Sequence, residues 1–295
     1  MSQDILNVIE GKLENLRKMY NAIRLVDPVQ KRVIGYSRAA LNETQELCCG
    51  FWQKGQICDN CISIRAYQES RCYMKLEQNQ DHVYLVEAVP VENMQRPLIL
   101  EMLKDVTETM LIANLGGEEE ENLSRYIKKI NDMVAKDHLT QLYNRRYVDE
   151  RLPADVACAI LTDRPLALCF IDMDNLTRLN NKYGHEAGDQ ALRQVGDLLK
   201  KQLRQNRDWA ARYGGDEFLV CLNDTDRQTA ALIGAGMRQA VAETPLNFAG
   251  AEIPISVTYG VSVLGEPILT AEDLINSADK HMYAEKRKRR LSKTR

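Results

Sequence analysis

The chain contains no apolar run approaching the roughly 18 residues that a membrane-spanning helix needs. Its first residues, Met1-Ser2-Gln3-Asp4, include an acid and lead into no apolar core, so they do not have the pattern of a secretory signal. Acidic and basic residues are nearly balanced, with a formal net charge of -3. That balance argues against a dedicated nucleic-acid coat or a membrane-surface protein. We therefore expect a cytoplasmic protein with neither membrane nor nucleic acid as a partner.

The length and composition indicate about two packed domains. The chain has 295 residues, of which 44% are apolar and 27% charged, which is ordinary for globular domains. An amphipathic helix is predicted for residues 1–18, with apolar positions at helical spacing that can pack on a neighbouring domain or on a second copy. It is followed by a first domain over 19–107, a helical linker over 108–136 and a second domain over 137–295. The fold class expected is α/β in the broad sense, with an α+β arrangement of elements.

The first domain consists of short strand-like segments separated by turns. Strands are predicted near residues 23–26, 33–36, 73–77, 83–91 and 98–103, and the last one ends in Asp105-Val106-Thr107-Glu108. This order of elements and its closing segment resemble a PAS-type sensor domain over about 90 residues. The resemblance implies a five-stranded sheet and a sensory role.

Five of the eight cysteines fall close together in this first domain, namely Cys48, Cys49, Cys58, Cys61 and Cys72. The C-x-x-C pair of Cys58 and Cys61 can point two thiolates at one metal, with Cys72 and Cys48 or Cys49 completing a tetrahedral set. The spacing is irregular, however, and adjacent cysteines are awkward joint ligands. A metal or iron–sulfur centre, redox-active thiols and simple structural packing all stay open as interpretations.

Apolar residues in the linker follow a heptad pattern at Leu123, Ile127, Ile130 and Val134. The pattern extends over fewer than three heptads, so it predicts a paired helix only with help from flanking domains. The alternative is a helix that packs on its own domain. In a two-domain sensor the same helix can carry a change of rotation or register from one domain to the other.

The second domain contains a glycine pair followed directly by two acids, Gly214-Gly215-Asp216-Glu217. Apolar segments of strand length flank it, which predicts a β-hairpin with glycines at positive φ in the turn. Earlier in the domain, an apolar run over residues 166–171 leads into Asp172-Met173-Asp174. Carboxylates at the end of a buried strand are suited to holding a divalent cation near phosphates.

Four ordered segments together resemble the GGDEF family of diguanylate cyclases over about residues 137–290. They are Asp-His-Leu-Thr-Gln-Leu-Tyr-Asn-Arg-Arg from residue 137, Phe-Ile-Asp-Met-Asp from 170, Asn180 with Gly-His-Glu-Ala-Gly-Asp from 184, and Arg-Tyr-Gly-Gly-Asp-Glu-Phe from 212. The resemblance implies a palm-like, ferredoxin-related sheet. It also implies that two GTP molecules are joined into cyclic di-GMP with release of two pyrophosphates.

The resemblance assigns roles to particular residues of this chain. Mg²⁺ (or Mn²⁺) would be held by Asp172, the backbone carbonyl of Met173, and Asp216, and either Asp216 or Glu217 would assist removal of the 3′-hydroxyl proton. The residues implied to bind GTP are Leu176, Asn180, Asp189, Gly214, Gly215, Lys286 and Arg290. Among these, Asn180 and Asp189 match the residues that recognise guanine, the glycines admit the phosphates, and Lys286 with Arg290 match the clamp on the triphosphate.

The chain departs from the family pattern in two places. The family usually has Phe-Lys where this chain has Leu176-Thr177, so one expected phosphate contact is missing. The family's product-inhibition site has Arg-x-x-Asp ahead of the glycine pair, and here residues 205–208 read Gln-Asn-Arg-Asp. Without the arginine, bidentate recognition of the product is lost, which predicts weak or absent feedback inhibition there.

The function predicted is a sensor-regulated diguanylate cyclase that works as a homodimer through the linker helix and sensor domain. Each catalytic domain would hold one GTP, and the two would have to face each other. One alternative is a catalytically silent domain that binds GTP or a partner and relays a signal. A second is another nucleotide cyclase or polymerase-like enzyme, which would share the metal site but would not need Asn180 together with Asp189.

Overall fold

The computed structural model describes residues 16, 19–36, 41–53, 58–79, 82–91, 97–107, 118–205, 207–265 and 267–292. Within it the chain divides into two compact units, Met1–Val134 and Ala135–Arg295. The helix predicted at the amino terminus lies almost entirely outside the described residues. No helix among the described residues is both long enough and apolar enough to cross a membrane.

The amino-terminal unit is built on a six-stranded antiparallel sheet. Its elements are β1 (Ala22–Asp27), β2 (Arg32–Tyr36), β3 (Leu41–Leu47), a 3-10 helix (Cys48–Trp52), α1 (Ile62–Glu69), β4 (Tyr73–Gln78), β5 (Val83–Pro90) and β6 (Ile99–Asp105). The strand order is β3-β2-β1-β6-β5-β4. The helix α1 covers the sheet through Ile62 and Ala66, which pack with Trp52, Val86 and Leu103.

Five of these strands lie where the sequence predicts them, and the sixth, β3, was not predicted. Its sequence, Leu-Asn-Glu-Thr-Gln-Glu-Leu, is mostly polar and lies at the sheet edge beside β2. An edge strand pairs on one side only and needs few apolar residues, so hydrophobic patterning gives little sign of it. The prediction of five strands was therefore one too few.

The linker contains helix α2 (Glu118–Ala135). Its predicted apolar seam does not face a single neighbour, because Ile127 is 4% exposed and packs with Val83 and Val106, whereas Ile130 is 52% exposed. Tyr126 and Met133 are exposed on the same helix. One face of α2 thus packs on its own unit while another presents apolar side chains to solvent.

The second unit is an α+β domain around a four-stranded antiparallel sheet of order β12-β7-β9-β8. Its elements are α3 (Arg145–Thr162), β7 (Leu166–Met173), α4 (Leu176–Tyr183), α5 (His185–Lys201), β8 (Trp209–Arg212), β9 (Glu217–Asn223), α6 (Arg227–Ala242), β10 (Leu246–Phe248), β11 (Ala251–Ile253), β12 (Val257–Val263) and α7 (Ala271–Ser292). The short strands β10 and β11 form a separate hairpin.

The central strand β7 is buried at all eight positions because both faces of the sheet are covered. Alternate residues point to opposite faces. Ala167 and Ile171 join the core that includes residues of α5 and α6. Leu168 and Phe170 join the second core, which includes residues of α3 and α7. The continuous apolar run predicted as a strand is therefore a two-faced strand, and Asp172 lies on the face of Leu168 and Phe170.

Helix α3 was not predicted, and its sequence explains why. Pro153 lies inside it, and prolines are unfavourable within helices. The helix nevertheless begins with a defined cap, since Asn144 accepts a hydrogen bond from the backbone N–H of Tyr147. Leu152 and Val156 then pack beneath the sheet, so tertiary burial maintains a helix whose local pattern is weak.

Candidate active site

The register of two central strands places two carboxylates directly opposite each other. Asp172 of β7 pairs with Glu217 of β9, at the end of the sheet where β9 follows the glycine turn. The turn is tied to β7, because the backbone N–H of Met173 donates to the carbonyl of Asp216 at 3.0 Å. Like charges directly opposite on neighbouring strands destabilise a sheet. Such an arrangement is typical of a site that gains a cation.

Burial and neighbouring charges both act on the carboxyl groups of this cluster. Burial raises the pKa of Asp172, and nearby carboxylates including Asp216 add to the rise. Burial also raises the pKa of Glu217, followed by the charges of Asp172 and Asp216. Lys286 of α7 offsets part of the repulsion, since its ammonium forms an ion pair with Asp172. This lysine thus places a positive charge beside the carboxylates.

The residues present fit a hard divalent cation. Asp172 and Asp216 provide carboxylate oxygens on rigid elements, which suits Mg²⁺ binding with water and substrate phosphates completing the shell. Over the described part of the chain, however, no group of three or more His, Cys, Asp or Glu side chains is already arranged to hold a metal. A two-carboxylate site with a backbone carbonyl falls below that number, so the Met173 carbonyl stays a predicted ligand.

The glycine pair has a different purpose from the one predicted. Neither Gly214 nor Gly215 has a positive φ, so the expectation of left-handed glycines in this turn was wrong. A Cβ on Gly214 would lie 2.7 Å from Oε2 of Glu217, whereas a Cβ on Gly215 would meet nothing within 4 Å. The four-residue turn is closed instead by hydrogen bonds from the N–H groups of Tyr213 and Gly214 to the carbonyl of Glu217. The glycines therefore provide space, for Glu217 at one position and for a ligand at the other.

The predicted guanine-binding residues lie on α4 and α5, which pack together. Asn180 and Leu176 stand one turn apart on α4, and both approach Gly188 of α5 so closely that a Cβ there would overlap Oδ1 of Asn180. This Oδ1 is buried and accepts no hydrogen bond. A buried amide oxygen without a partner is costly and indicates a ligand donor. Gly188 was not singled out from the sequence, although its motif was.

The next residue, Asp189, is exposed on α5. The N-cap residue of this helix is Gly184 and not Asp189. The Asp189 carboxylate therefore has no capping role. Thr177 is exposed on α4. Arg290 lies in the last turns of α7, and its side chain is outside the described residues.

A short chain of polar contacts connects the start of the second unit with the glycine turn. Asp137 accepts hydrogen bonds from the N–H and hydroxyl of Thr140, both at 2.8 Å. Arg212 forms an ion pair with Asp137 at 3.3 Å and donates to the carbonyl of Gly215 at 2.8 and 3.1 Å. Burial raises the pKa of Asp137, but the Thr140 bonds and Arg212 outweigh it and hold the pKa below its usual value. Arg212 therefore positions the turn, a role that sequence inspection did not assign.

In the segment 205–208, which lacks the arginine expected for product binding, the aspartate Asp208 is already paired with another residue. Arg204 donates two hydrogen bonds to Asp208, both at 2.8 Å, and a third at 2.7 Å to the hydroxyl of Thr225. The side chain of Asp208 is only 1% exposed. Its carboxylate thus ties the loop after α5 to the end of β9, where it accepts from the backbone N–H of Asn223 at 3.2 Å, and is not available to a ligand.

We predict that cyclic di-GMP does not bind tightly at this segment, because Gln205 offers no bidentate donor and Asp208 is already paired. Titration calorimetry on the protein measures this directly, with Asp208→Asn as the matched variant. The native protein and the variant should show the same weak or absent heat. Tight binding that the variant loses would contradict the prediction.

The clustered cysteines separate into three environments. Cys49 is buried in the core of the amino-terminal unit. Cys72 is exposed. Cys48, Cys58 and Cys61 line one small cavity. The five cysteines therefore do not form one joint site.

Comparison with known proteins identifies the second unit. A family model described as "Diguanylate cyclase, GGDEF domain" matches residues 134–292, which is more than half of the chain. The chain belongs to the GGDEF family. The GGDEF match begins at the boundary between the two compact units and includes every candidate residue of the active site.

Curated proteins of the GGDEF family resemble this chain at moderate identity. Diguanylate cyclase A of Treponema denticola is 36% identical over 121 residues, covering 41% of this chain and 32% of that protein. Diguanylate cyclase DosC of Escherichia coli K12 is 34% identical over 159 residues, covering 53% and 34%. Response regulator PleD of Caulobacter vibrioides is 34% identical over 157 residues, covering 52% and 34%. The chain thus matches about a third of the length of these relatives.

Solved GGDEF structures share the fold. The coiled coil and GGDEF domain of DgcB from Caulobacter crescentus, in complex with c-di-GMP, has a TM-score of 0.54 at 25% identity and covers 62% of this chain and 95% of that one. Diguanylate cyclase SiaD of Pseudomonas aeruginosa, in complex with its activator SiaC, has a TM-score of 0.52 at 24% identity, with 60% and 67% covered. The second comparison bears on the fold alone.

Proposed function

We propose that the protein is a diguanylate cyclase that condenses two GTP molecules into cyclic di-GMP and releases two pyrophosphates. The observation that carries this proposal is the carboxylate pair Asp172 and Glu217, opposed across two strands and joined by Asp216 at the turn. The open space at Gly215 adds room for a phosphate chain beside the acids. Named diguanylate cyclases at about one-third identity support the same conclusion.

The acids would act on the reacting phosphate through a bound metal. Asp172, the carbonyl of Met173, and Asp216 would hold Mg²⁺ or Mn²⁺, which when bound neutralises the triphosphate and stabilises charge at the α-phosphorus. We assign acceptance of the 3′-hydroxyl proton to Glu217. Its carboxyl has a raised pKa from burial and neighbouring acids, and it would leave Asp216 to the metal.

Guanine recognition is assigned to Asn180 and Asp189. The unpartnered Oδ1 of Asn180 can accept a hydrogen bond from a guanine N–H, and the exposed Asp189 carboxylate can accept a second. Adenine presents no equivalent N–H pair, so it would leave these polar groups unsatisfied. Leu176, which packs beside Gly188, provides an apolar wall.

Lys286 is proposed to change partner when substrate binds. Its ammonium is paired with Asp172 here, and an incoming metal would take that carboxylate. Lys286, with Arg290 one helical turn later, is then available to the triphosphate.

Replacing Lys286 by methionine should therefore weaken GTP binding about tenfold, the effect of losing one charge-assisted hydrogen bond. Equilibrium binding of GTP in the presence of Mg²⁺ gives the value. Lys280→Met is the matched control, since Lys280 lies on the same helix and is exposed. Equal affinities for the two variants would show that Lys286 does not contact the triphosphate.

A homodimer is proposed because each domain binds one GTP and the product contains two. The exposed apolar side chains of α2, Tyr126, Ile130 and Met133, lie at helical spacing on one face of the linker. Two copies can pair through this face, whereas Ile127 stays packed on its own unit.

Introducing a charge with Ile130→Glu should shift the protein towards monomer and lower cyclase activity in parallel. Sedimentation velocity, read beside initial rates, tests both effects. Leu232→Glu serves as control, because Leu232 is equally an exposed apolar residue but lies on α6. A stable Ile130→Glu dimer would rule out this face as the contact.

The amino-terminal unit is proposed as a PAS-like sensor that sets the dimer geometry, and a cytoplasmic location is proposed with it. Five of the six strands occupy the positions on which the PAS resemblance depends. The sensory input is most simply sought at the cavity lined by three thiols.

The nucleotide assignment is tested by competition. A fixed amount of labelled GTP is converted in the presence of excess ATP, with Mg²⁺ throughout. We expect ATP to leave the rate of product formation nearly unchanged. Strong inhibition by ATP would favour another nucleotide cyclase or polymerase-like activity instead.

A further inference from the structure

Three thiols of the amino-terminal unit face one small cavity of about 20 Å³, those of Cys48, Cys58 and Cys61. The ammonium of Lys75 and the carboxylate of Glu101 also line it. A cavity of this size has room for about one water molecule. The thiols therefore lie close to one another, and no organic ligand fits between them.

Burial acts on two of these thiols. Burial raises the pKa of Cys48, and it raises the pKa of Cys58 to about 12 against the opposing charge of Lys75. Within the described residues no set of three or more candidate ligands is arranged around a metal position. Cys58 and Cys61 are free thiols separated by two residues, a spacing found in redox-active pairs.

The turn between these two cysteines is bonded to the linker helix. Asn60 is buried and donates a hydrogen bond to Oδ1 of Asn131 on α2 at 2.8 Å. The side-chain oxygen of Asn60 accepts a hydrogen bond from the Arg65 guanidinium at 3.0 Å. The backbone carbonyl of Asn60 accepts one from the Lys75 ammonium at 2.8 Å. Asn60, which lies inside the C-x-x-C turn, is thus bonded on three sides, and Asn131 has one further contact to the carbonyl of Leu76 at 3.5 Å.

We propose that Cys58 and Cys61 form a redox pair whose disulfide rearranges this turn and releases helix α2 from Asn60. A disulfide brings the two Cβ atoms to about 3.5–4.5 Å. A disulfide would hold the backbone of the intervening Asp59 and Asn60 in the conformations that this distance allows. We expect the tightened turn to break the Asn60–Asn131 hydrogen bond. Helix α2 is then held at this point only by the long contact from Asn131 to the carbonyl of Leu76 at 3.5 Å and by the packing of Ile127.

The oxidant is a low-molecular-weight disulfide. Cys61 is partly exposed, so its thiol can meet the oxidant outside the cavity. Its thiolate attacks one sulfur of the oxidant, forming a mixed disulfide and expelling one thiolate, which takes up the proton that Cys61 lost. Cys58 then gives up its proton to solvent and attacks the sulfur of Cys61, expelling the second small thiolate, which takes up a proton from solvent. The pair loses two protons and two electrons in total, and the oxidant gains both as two thiols.

The full chain is equilibrated with reduced glutathione or with glutathione disulfide, and no cyclase reaction is needed. Alkylation followed by peptide mass spectrometry should show a Cys58–Cys61 disulfide in the oxidised sample only. Hydrogen exchange of α2 should then become about fivefold faster, the factor expected when one hydrogen bond of about 1 kcal/mol is lost.

Matched variants separate the steps. Asn131→Ala should exchange about fivefold faster already in the reduced state and change no further on oxidation. Cys61→Ser should lose the response, with Cys58→Ser as a second test if either variant folds poorly. Cys72→Ser, which alters an exposed thiol outside the cavity, should behave like the native protein.

Three outcomes would overturn the proposal. One is alkylation of both Cys58 and Cys61 after oxidation, or a disulfide that uses Cys48 instead. Another is a disulfide that forms without any change in the exchange of α2. A third is a metal that stays bound through purification and protects the thiols from oxidation.

Discussion

Replacing Asp216 by asparagine is expected to lower the rate of cyclic di-GMP formation by about a thousandfold or more. Asp216 is a proposed metal ligand, and a bound metal contributes several kcal/mol of transition-state stabilisation. The fold should survive, because the substitution removes a charge that repels Asp172 and Glu217 in the metal-free protein. The melting temperature should therefore stay the same or rise while activity is lost.

The measurement combines initial rates, thermal melting and Mg²⁺ affinity in the presence of GTP. Asp197→Asn is the control, since Asp197 is an exposed acid on α5. It should leave all three values close to native. If Asp216→Asn kept more than about a tenth of the native rate, Asp216 would not be a ligand of the catalytic metal.

Replacing Gly188 by alanine is expected to lower kcat/KM for GTP about a hundredfold with little effect on stability. The new Cβ would overlap Oδ1 of Asn180, and this atom lies at the end of a side chain that can rotate away. The fold therefore accommodates the methyl group, but the amide no longer faces guanine. The hydrogen bond between Asn180 and guanine would be lost and the amide would be misplaced. Together these changes account for a loss of about 3 kcal/mol in transition-state binding.

The control for this change is Gly236→Ala on α6, where the nearest atom to a new Cβ is Oε1 of Gln202 at 3.9 Å. It should preserve kcat/KM. The discriminating value is the ratio of kcat/KM for GTP to that for inosine triphosphate, which lacks the guanine amino group. An unchanged ratio in Gly188→Ala, despite a lower rate, would show that Asn180 does not recognise the base.

The order of motifs predicted the main elements of the second unit well, because most of its candidate site residues lie in short segments that are contiguous in sequence. The run before Asp172 predicted a buried strand, and the glycine pair predicted a hairpin. Both are present. The local sequence does not determine the register between strands. Only the observed pairing of β7 with β9 shows that Asp172 lies opposite Glu217. For the same reason the role of Arg212 was not predicted, because its partners Asp137 and Gly215 are far apart in sequence and come together only in the folded unit.

Some predictions were wrong for reasons that are also physical. Positive φ was expected at Gly214 and Gly215 because short hairpins favour it, but a four-residue turn does not demand it. Helix α3 was missed because Pro153 lies inside it and burial outweighs local propensity. The cysteines were grouped by sequence proximity, whereas the fold directs Cys49 into the core and Cys72 outward.

The most direct test of the proposed activity is to incubate the purified protein with GTP and Mg²⁺ and separate the products by chromatography. We predict cyclic di-GMP with two pyrophosphates for each molecule formed, and none from Asp216→Asn. A native dimer that binds GTP and Mg²⁺ but yields no cyclic di-GMP, in the reduced and oxidised states alike, would contradict the account and favour a silent signalling relay.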